Sequence, residues 1–198
     1  AQIRGLNAAL RKQVPRDWPL FIGVDQEGGA VERLRGAATR FPAFMSAGAA
    51  ANAALTQSTY AAQAAELRGL GFTVNFAPVA DVTVGSRDPA IGARSVSTDP
   101  LAVAEHVTAA GLGLLESGIV PVLKHFPGHG SVPQDSHLTL PVQTRSLAEL
   151  ERLDLVPFAL ADSAGLPAVM VGHIDVRAID PGTPASLSRR VITGTLRK

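Results

Sequence analysis

The sequence contains no cysteine, so disulfides and thiolate chemistry are excluded, although that absence fixes no compartment. It has no apolar run of membrane-spanning length. Charge of one sign is not in excess either. The balance of 18 Lys and Arg against 17 Asp and Glu leaves a net +1, which removes the electrostatic case for nucleic acid or a membrane surface as partner. No secretory leader is visible, and a chain that begins at Ala1 in mid-pattern reads as a piece of something longer. What is present suits a soluble globular protein: 198 residues, 46% hydrophobic and 18% charged, enough for one domain with a real core.

Residues 2–13 place Ile3, Leu6 and Leu10 on one helical face, which predicts an amphipathic helix stopped by Val14-Pro15. Leu20-Phe21-Ile22-Gly23-Val24 reads as a buried strand. It ends in Asp25-Gln26-Glu27-Gly28-Gly29, where paired glycines suggest a tight loop with backbone open to a ligand. Residues 36–51, rich in Gly and Ala, read as a loop. A helix is expected from Asn52 to Leu70, closed by Gly69 or Gly71, followed by a strand from Phe72 to Val79. Asp81, just past that strand, is expected to be a buried support whose oxygens cap loop amides. Asp99-Pro100 opens a helix that Gly118 closes. Ser146-Leu147-Ala148-Glu149 matches a capping box, Pro157 opens a further helical piece ending near Ala164-Gly165, and Ser188 caps a last one.

Strands therefore begin near residues 20, 73, 119 and 168, a period of about 50 residues, each followed by a helix. That rhythm predicts a parallel sheet with right-handed crossovers. The polar candidates Asp25, Asp81, Lys124, His125, His173 and Asp175 all sit just after strands. A (β/α)8 barrel and a doubly wound open sheet both bind ligands at that end. No Gly-x-Gly-x-x-Gly follows the first strand, which argues against a dinucleotide fold.

The chemistry concentrates in residues 124–137. The apolar run Ile119-Val120-Pro121-Val122-Leu123 leads into Lys124 and His125, both poor core residues, and then into a loop punctuated by Pro127, Gly128, Gly130 and Pro133. Asp135 and His137 follow, flanking Ser136. A carboxylate beside an imidazole fixes its tautomer and leaves the second ring nitrogen free to move a proton near neutral pH. A lone Asp-x-His is more often a pair of solvated loop residues. Here Lys124, His125 and His129 share the loop, which favours a site.

Lys124-His125-Phe126-Pro127-Gly128-His129-Gly130 followed by Asp135-Ser136-His137 resembles the signature of family 3 glycoside hydrolases of the β-N-acetylglucosaminidase type. Asp25-Gln26-Glu27-Gly28-Gly29 with the following Arg33, and Gly92-Ala93-Arg94-Ser95, belong to the same pattern. Ala30 departs from it, because many relatives carry another arginine there. The resemblance implies a (β/α)8 TIM-type barrel of which residues 1–198 supply a central part, about four βα units. It implies that His137 is the acid/base and Asp135 its orienting partner. Asp25, Arg33 and Arg94 would hold the sugar, and Lys124 and His125 its hydroxyls. The nucleophile would be an aspartate beyond Lys198; Asp175 is set aside as a substitute. The implied activity is retaining exo-hydrolysis of terminal N-acetylglucosamine from peptidoglycan fragments or related glycosides. No cofactor, metal, nucleic acid or membrane span is expected. The cytoplasm is the expected compartment, with a secreted or lipoprotein parent as the alternative. Nothing points to an oligomeric state.

Four other readings stay open at this point. Arg94 is read structurally as the salt-bridge partner of Asp88 or Asp99. A metal-dependent hydrolase would use His125, His129 and His137, although Pro127 and Gly128 keep the first two off a common helix face. A family 3 phosphorylase or β-glucosidase-like hydrolase would keep the scaffold and change the acceptor or sugar. A sugar-binding fragment without catalysis would need no nucleophile at all.

Overall fold

The computed structural model describes residues 2–14, 18, 20–88, 90–134 and 138–197. The first helix, α1 (Gln2–Gln13), forms as expected, but of its apolar face only Ile3 packs against the core. Leu6 is 60% and Leu10 42% exposed, while Asn7 is buried. The rest of the docking is polar. Asn7 Nδ2 donates to the Leu70 carbonyl at 3.0 Å and Arg11 Nη2 to the Gly71 carbonyl at 2.6 Å, satisfying carbonyls at the end of a later helix.

β1 (Gly23–Val24) is shorter than the run 20–24 suggests, and Phe21 is largely exposed. Side chains alternate along a strand, so Val24 turns toward the core and Phe21 toward the open face. β2 (Gln26–Gly28) and β3 (Val31–Glu32) follow as an antiparallel hairpin. The stretch read as a loop contains a short helix, α2 (Met45–Ala50), whose alanines carry high helix propensity and which Ala51 closes in a left-handed conformation. α3 (Ala53–Leu70) is capped by Asn52, whose side chain accepts from the Leu55 N–H, and it ends at Gly71 rather than Gly69. β4 (Val74–Asn75) comes next. α4 (Pro100–Glu116) starts at Asp99, whose carboxylate accepts from the Leu101 N–H, with Pro100 in the first turn.

β5 (Val120–Pro121) and β6 (Leu123–Phe126) are one run interrupted at Val122. β7 (Val142–Gln143) precedes α5 (Leu147–Arg152), which carries the full capping box of Ser146 and Glu149. α6 (Val156–Ser163), β8 (Val169–Val171), β9 (Asp175–Val176) and α7 (Arg189–Val191) follow, the last with Ser188 accepting from the Val191 N–H and running on into a π-helical turn, Ile192–Leu196.

β1 pairs in parallel with β4, β4 with β5, and β6 with β8, while a bridge joins Val79 to Lys124. Consecutive βα units thus lay parallel strands side by side in chain order, with β7 and β9 adding a further parallel pair. The architecture is α/β, a sector of a (β/α)8-type barrel that does not close among the described residues. The helical layer is tight. A Cβ on Gly113 of α4 would lie 2.2 Å from the Gln57 carbonyl of α3, so glycine allows the two backbones to meet. Leu67, Val103, Val107, Ala110 and Leu114 fill that contact and are fully buried. No helix among the described residues is long and apolar enough to cross a membrane.

Candidate active site

The site forms where the first three parallel strands end. Along the extended segment after β1, Asp25 and Glu27 are two residues apart, so their side chains share one face and Gln26 takes the other. Gln26 is tied down: its N–H bonds Asn75 Oδ1 at 3.1 Å, its carbonyl accepts from Asn75 Nδ2 at 2.9 Å, and its Oε1 accepts from the backbone of Arg33 and Leu34. The glycines of the hairpin do not open backbone to a ligand, contrary to expectation. A Cβ on Gly28 would meet the Pro42 carbonyl at 2.5 Å, and the Gly29 N–H bonds the Phe41 carbonyl at 2.8 Å. Close packing of residues 41–43 onto the turn is what requires glycine there.

Both carboxylates of that face meet one ammonium. Lys124 Nζ lies 2.8 Å from Asp25 Oδ1 and 2.6 Å from Glu27 Oε1. Arg94, from a 3-10 turn at Gly92–Arg94, grips the same Glu27 with a two-pronged fork, Nε to Oε2 at 2.9 Å and Nη2 to Oε1 at 2.8 Å. Its Nη1 donates to the Ala90 carbonyl at 3.2 Å. The result is a chain of alternating charges, Asp25–Lys124–Glu27–Arg94. Its inner members are buried, with side chains 3% and 4% exposed, and its outer members are accessible at 35% for Asp25 and 19% for Arg94. Burial works to raise the Glu27 pKa, but the Arg94 fork and the Lys124 ammonium outweigh it and hold the carboxyl below its ordinary range. Burial alone would lower the Arg94 pKa, and Glu27 reverses that and raises it.

Asp81 builds the second part of the site. It is fully buried and accepts the His129 N–H at 2.6 Å, the His125 N–H at 3.2 Å and His125 Nδ1–H at 2.7 Å. This is the support role expected of it. An ionised carboxylate only accepts, so Nδ1 carries a proton and Nε2 of His125 points away from that bond. Burial pushes the Asp81 pKa up, but His125 and the backbone N–H groups overcome this and keep it low. His129 stacks edge-on to His125, with ring centroids 5.9 Å apart. Its Nδ1 is buried without a hydrogen-bond partner among the described residues, and burial lowers its pKa.

The structure thus brings Asp25, Arg94, Lys124 and His125 to one strand-end cluster. Arg33 follows β3 with an exposed side chain and takes no part in the cluster's ion pairs; its bond to Gln26 is through its backbone. The alternative partners of Arg94 do not hold. Asp88 accepts from Thr83 Oγ1 and the Ile91 N–H, and Asp99 caps α4, whereas Arg94 pairs with Glu27. Asp135 and His137 lie outside the described residues. The loop before them is anchored. Ser131 Oγ donates to Asp154 Oδ1 at 2.7 Å, Gln143 Nε2 donates to Ser131 Oγ, and Arg145 pairs with Asp154 Oδ2. Burial raises the Asp154 pKa, against the pull of Ser131 and Arg145. No cluster of three potential metal ligands forms among the described residues, and His125 Nδ1 is committed to Asp81. His173 is exposed and bonds Ser186, and Asp175 accepts from the Gly182 N–H, so neither joins the cluster.

Sequence reasoning passed over Glu27 as the hub. The two-residue spacing from Asp25 was the available signal, because it puts both carboxylates within reach of one cation. Asp154 carried no such signal; its partners come from two separate segments.

Residues 1–198 match the model of the glycosyl hydrolase family 3 N-terminal domain. The chain belongs to this family. Among curated family members it is 43% identical over 203 residues to a β-hexosaminidase of Xylella fastidiosa (strain M23), covering all of this chain and 59% of that protein. A β-hexosaminidase of Thiobacillus denitrificans is 42% identical over 186 residues, covering 91% of this chain and 51% of that protein. The chain therefore spans little more than half the length of these family 3 relatives. Among solved family 3 structures, a β-N-acetylglucosaminidase from Paenibacillus sp. superposes with a TM-score of 0.95 at 39% identity, over 99% of this chain and 38% of that one. NagZ from Neisseria gonorrhoeae in complex with N-trifluoroacetyl-D-glucosamine gives 0.90 at 36% identity, over 100% of this chain and 59% of that one.

Proposed function

We propose that the full-length protein is a retaining exo-β-N-acetylglucosaminidase that removes terminal N-acetylglucosamine from peptidoglycan fragments or related glycosides. The observation that carries this reading is the strand-end cluster in a chain so similar to β-hexosaminidases. An accessible carboxylate, Asp25, and an accessible guanidinium, Arg94, flank a buried ion pair beside an imidazole whose Nδ1 is held by Asp81. That is a set of acceptors and donors suited to a neutral, polyhydroxylated ring carrying an amide. The Neisseria protein's complex with a modified glucosamine supports a sugar of this class.

In the mechanism, Asp25 accepts from a sugar hydroxyl while Arg94 and Lys124 donate, and His125 donates or accepts, around the ring. Arg33 lends a contact from the rim. His137, steered by Asp135, protonates the bridging oxygen as the bond to the aglycone breaks, and then takes a proton from the attacking water. The nucleophilic aspartate comes from the segment that follows residue 198 in the full-length protein. The proposed compartment is the cytoplasm, in keeping with recycling of cell-wall fragments.

The test is a leaving-group series of aryl β-N-acetylglucosaminides on full-length His137→Ala. Turnover should fall on the order of 10²–10⁴-fold for poor leaving groups, which need the proton, and far less for good ones. Equal kinetics across the series would remove His137 from the acid/base role.

A further inference from the structure

We infer that Glu27 is a positioning residue for sugar binding: it sets the spacing and orientation of Arg94 and Lys124, which come from loops and strands far apart in sequence. The inference rests on the reading above that these two cations face the sugar. Glu27 is 67 residues from Arg94 along the chain and lies on the hairpin after the first strand, yet among the described residues it is the one side chain that pairs with both cations. Lys124 can rotate its ammonium freely about its last bond, and a guanidinium on a long stem samples many rotamers. Two carboxylates on Lys124 and a planar fork on Arg94 remove that freedom.

The donor inventory points the same way. An ammonium has three hydrogens, and Asp25 and Glu27 occupy two directions around it. The guanidinium commits Nε and Nη2 to Glu27 and Nη1 to the Ala90 carbonyl. The uncommitted hydrogens of both cations are therefore held in fixed directions, with Glu27 the anchor that the two share. Both Glu27 oxygens are committed to Arg94 and Lys124, so it is poorly placed to touch the sugar and well placed to aim the groups that do. Without it, Lys124 would keep Asp25, but Arg94 would lose its carboxylate partner and the two cations their shared anchor.

Displacing a binding group by about an ångström costs on the order of 10²-fold in rate. Glu27→Asp keeps the charge and withdraws the carboxylate by one methylene, too far to hold the fork and the ammonium together. In the full-length protein, kcat/KM on an aryl β-N-acetylglucosaminide should fall by roughly 10²-fold. Arg94→Lys and Lys124→Met should each fall as well. The double variant Glu27→Asp with Arg94→Lys should lose much less than the product of the two single losses, because both disturb the same fork. A folded Glu27→Asp within about twofold of wild type, or losses that multiply as for independent sites, would overturn the positioning role. So would Glu27→Asp and Glu27→Gln both failing to fold while the Arg94 and Lys124 variants fold, since that assigns Glu27 to stability. If instead Arg94→Lys and Lys124→Met leave kcat/KM unchanged, the sugar-facing assignment of the cations itself is at fault and this inference falls with it.

Discussion

Replacing Asp81 with asparagine is the sharpest perturbation of the scaffold. The side chain is fully buried and serves three donors, the backbone N–H of His125 and His129 and the His125 ring. Asparagine keeps one oxygen but presents an NH₂ group where a second acceptor stood, so the His125 ring either loses its partner or must give up its Nδ1 proton, and the two backbone donors lose a charged acceptor. An orphaned buried donor costs about 1–3 kcal/mol, and a hydrogen bond to a charged group is worth about 1.5–3 kcal/mol. The expected loss is therefore about 3 kcal/mol, equivalent to roughly 6–12 °C in thermal midpoint for a domain of this size. The pH dependence gives a second readout. Asp81 has its carboxyl pKa depressed on folding. Its contribution is thus fully present above the unfolded value near 3.9 and is lost as pH falls toward the folded value. Thermal melts of the wild type and Asp81→Asn, run from pH 7 down to pH 3, should show a gap that narrows below about pH 4. A gap that stays constant or widens at low pH would refute the claim that an ionised Asp81 holds these donors.

Glycines separate backbone cost from packing cost. Gly69 lies in α3 with nothing within 4 Å of an added Cβ, so Gly69→Ala should stabilise by about 0.5–1 kcal/mol through helix propensity. Gly113→Ala would drive a methyl to 2.2 Å from the Gln57 carbonyl and should cost about 1–3 kcal/mol; denaturant melts of the pair, showing opposite signs, check this contrast. Asp154→Ala leaves Arg145 and Ser131 without their buried partner. It should lower stability by about 3 kcal/mol and speed proteolysis around residues 131–134, read by limited digestion; an unaltered cleavage pattern would deny Asp154 its anchoring role.

The parts of the fold legible in the sequence were those with local chemistry. Asp99-Pro100, the Ser146–Glu149 box and Ser188 each cap the helix they announced, because a cap needs only its own neighbouring amides. Four strand runs a βα unit apart were legible for the same reason. The helix α1 was legible, but its docking was not: helical spacing groups Ile3, Leu6 and Leu10, whereas only Ile3 meets the core and Asn7 and Arg11 bond the carbonyls of Leu70 and Gly71. α2 was missed because a six-residue helix of small side chains has no apolar period to detect. In the site, Lys124, His125 and Arg94 were legible from their motifs. Their partners were not: whether Arg94 meets Asp88, Asp99 or Glu27 depends on which strand lies beside which. That is a property of the sheet order, not of the residues flanking the arginine.

The most direct measurement is a crystal structure of the full-length protein with N-acetylglucosamine bound. The account predicts sugar oxygens within about 3.2 Å of Asp25, Arg94 and Lys124, with His137 in reach of the anomeric oxygen. A sugar seated away from the Asp25–Lys124–Glu27–Arg94 chain would contradict it.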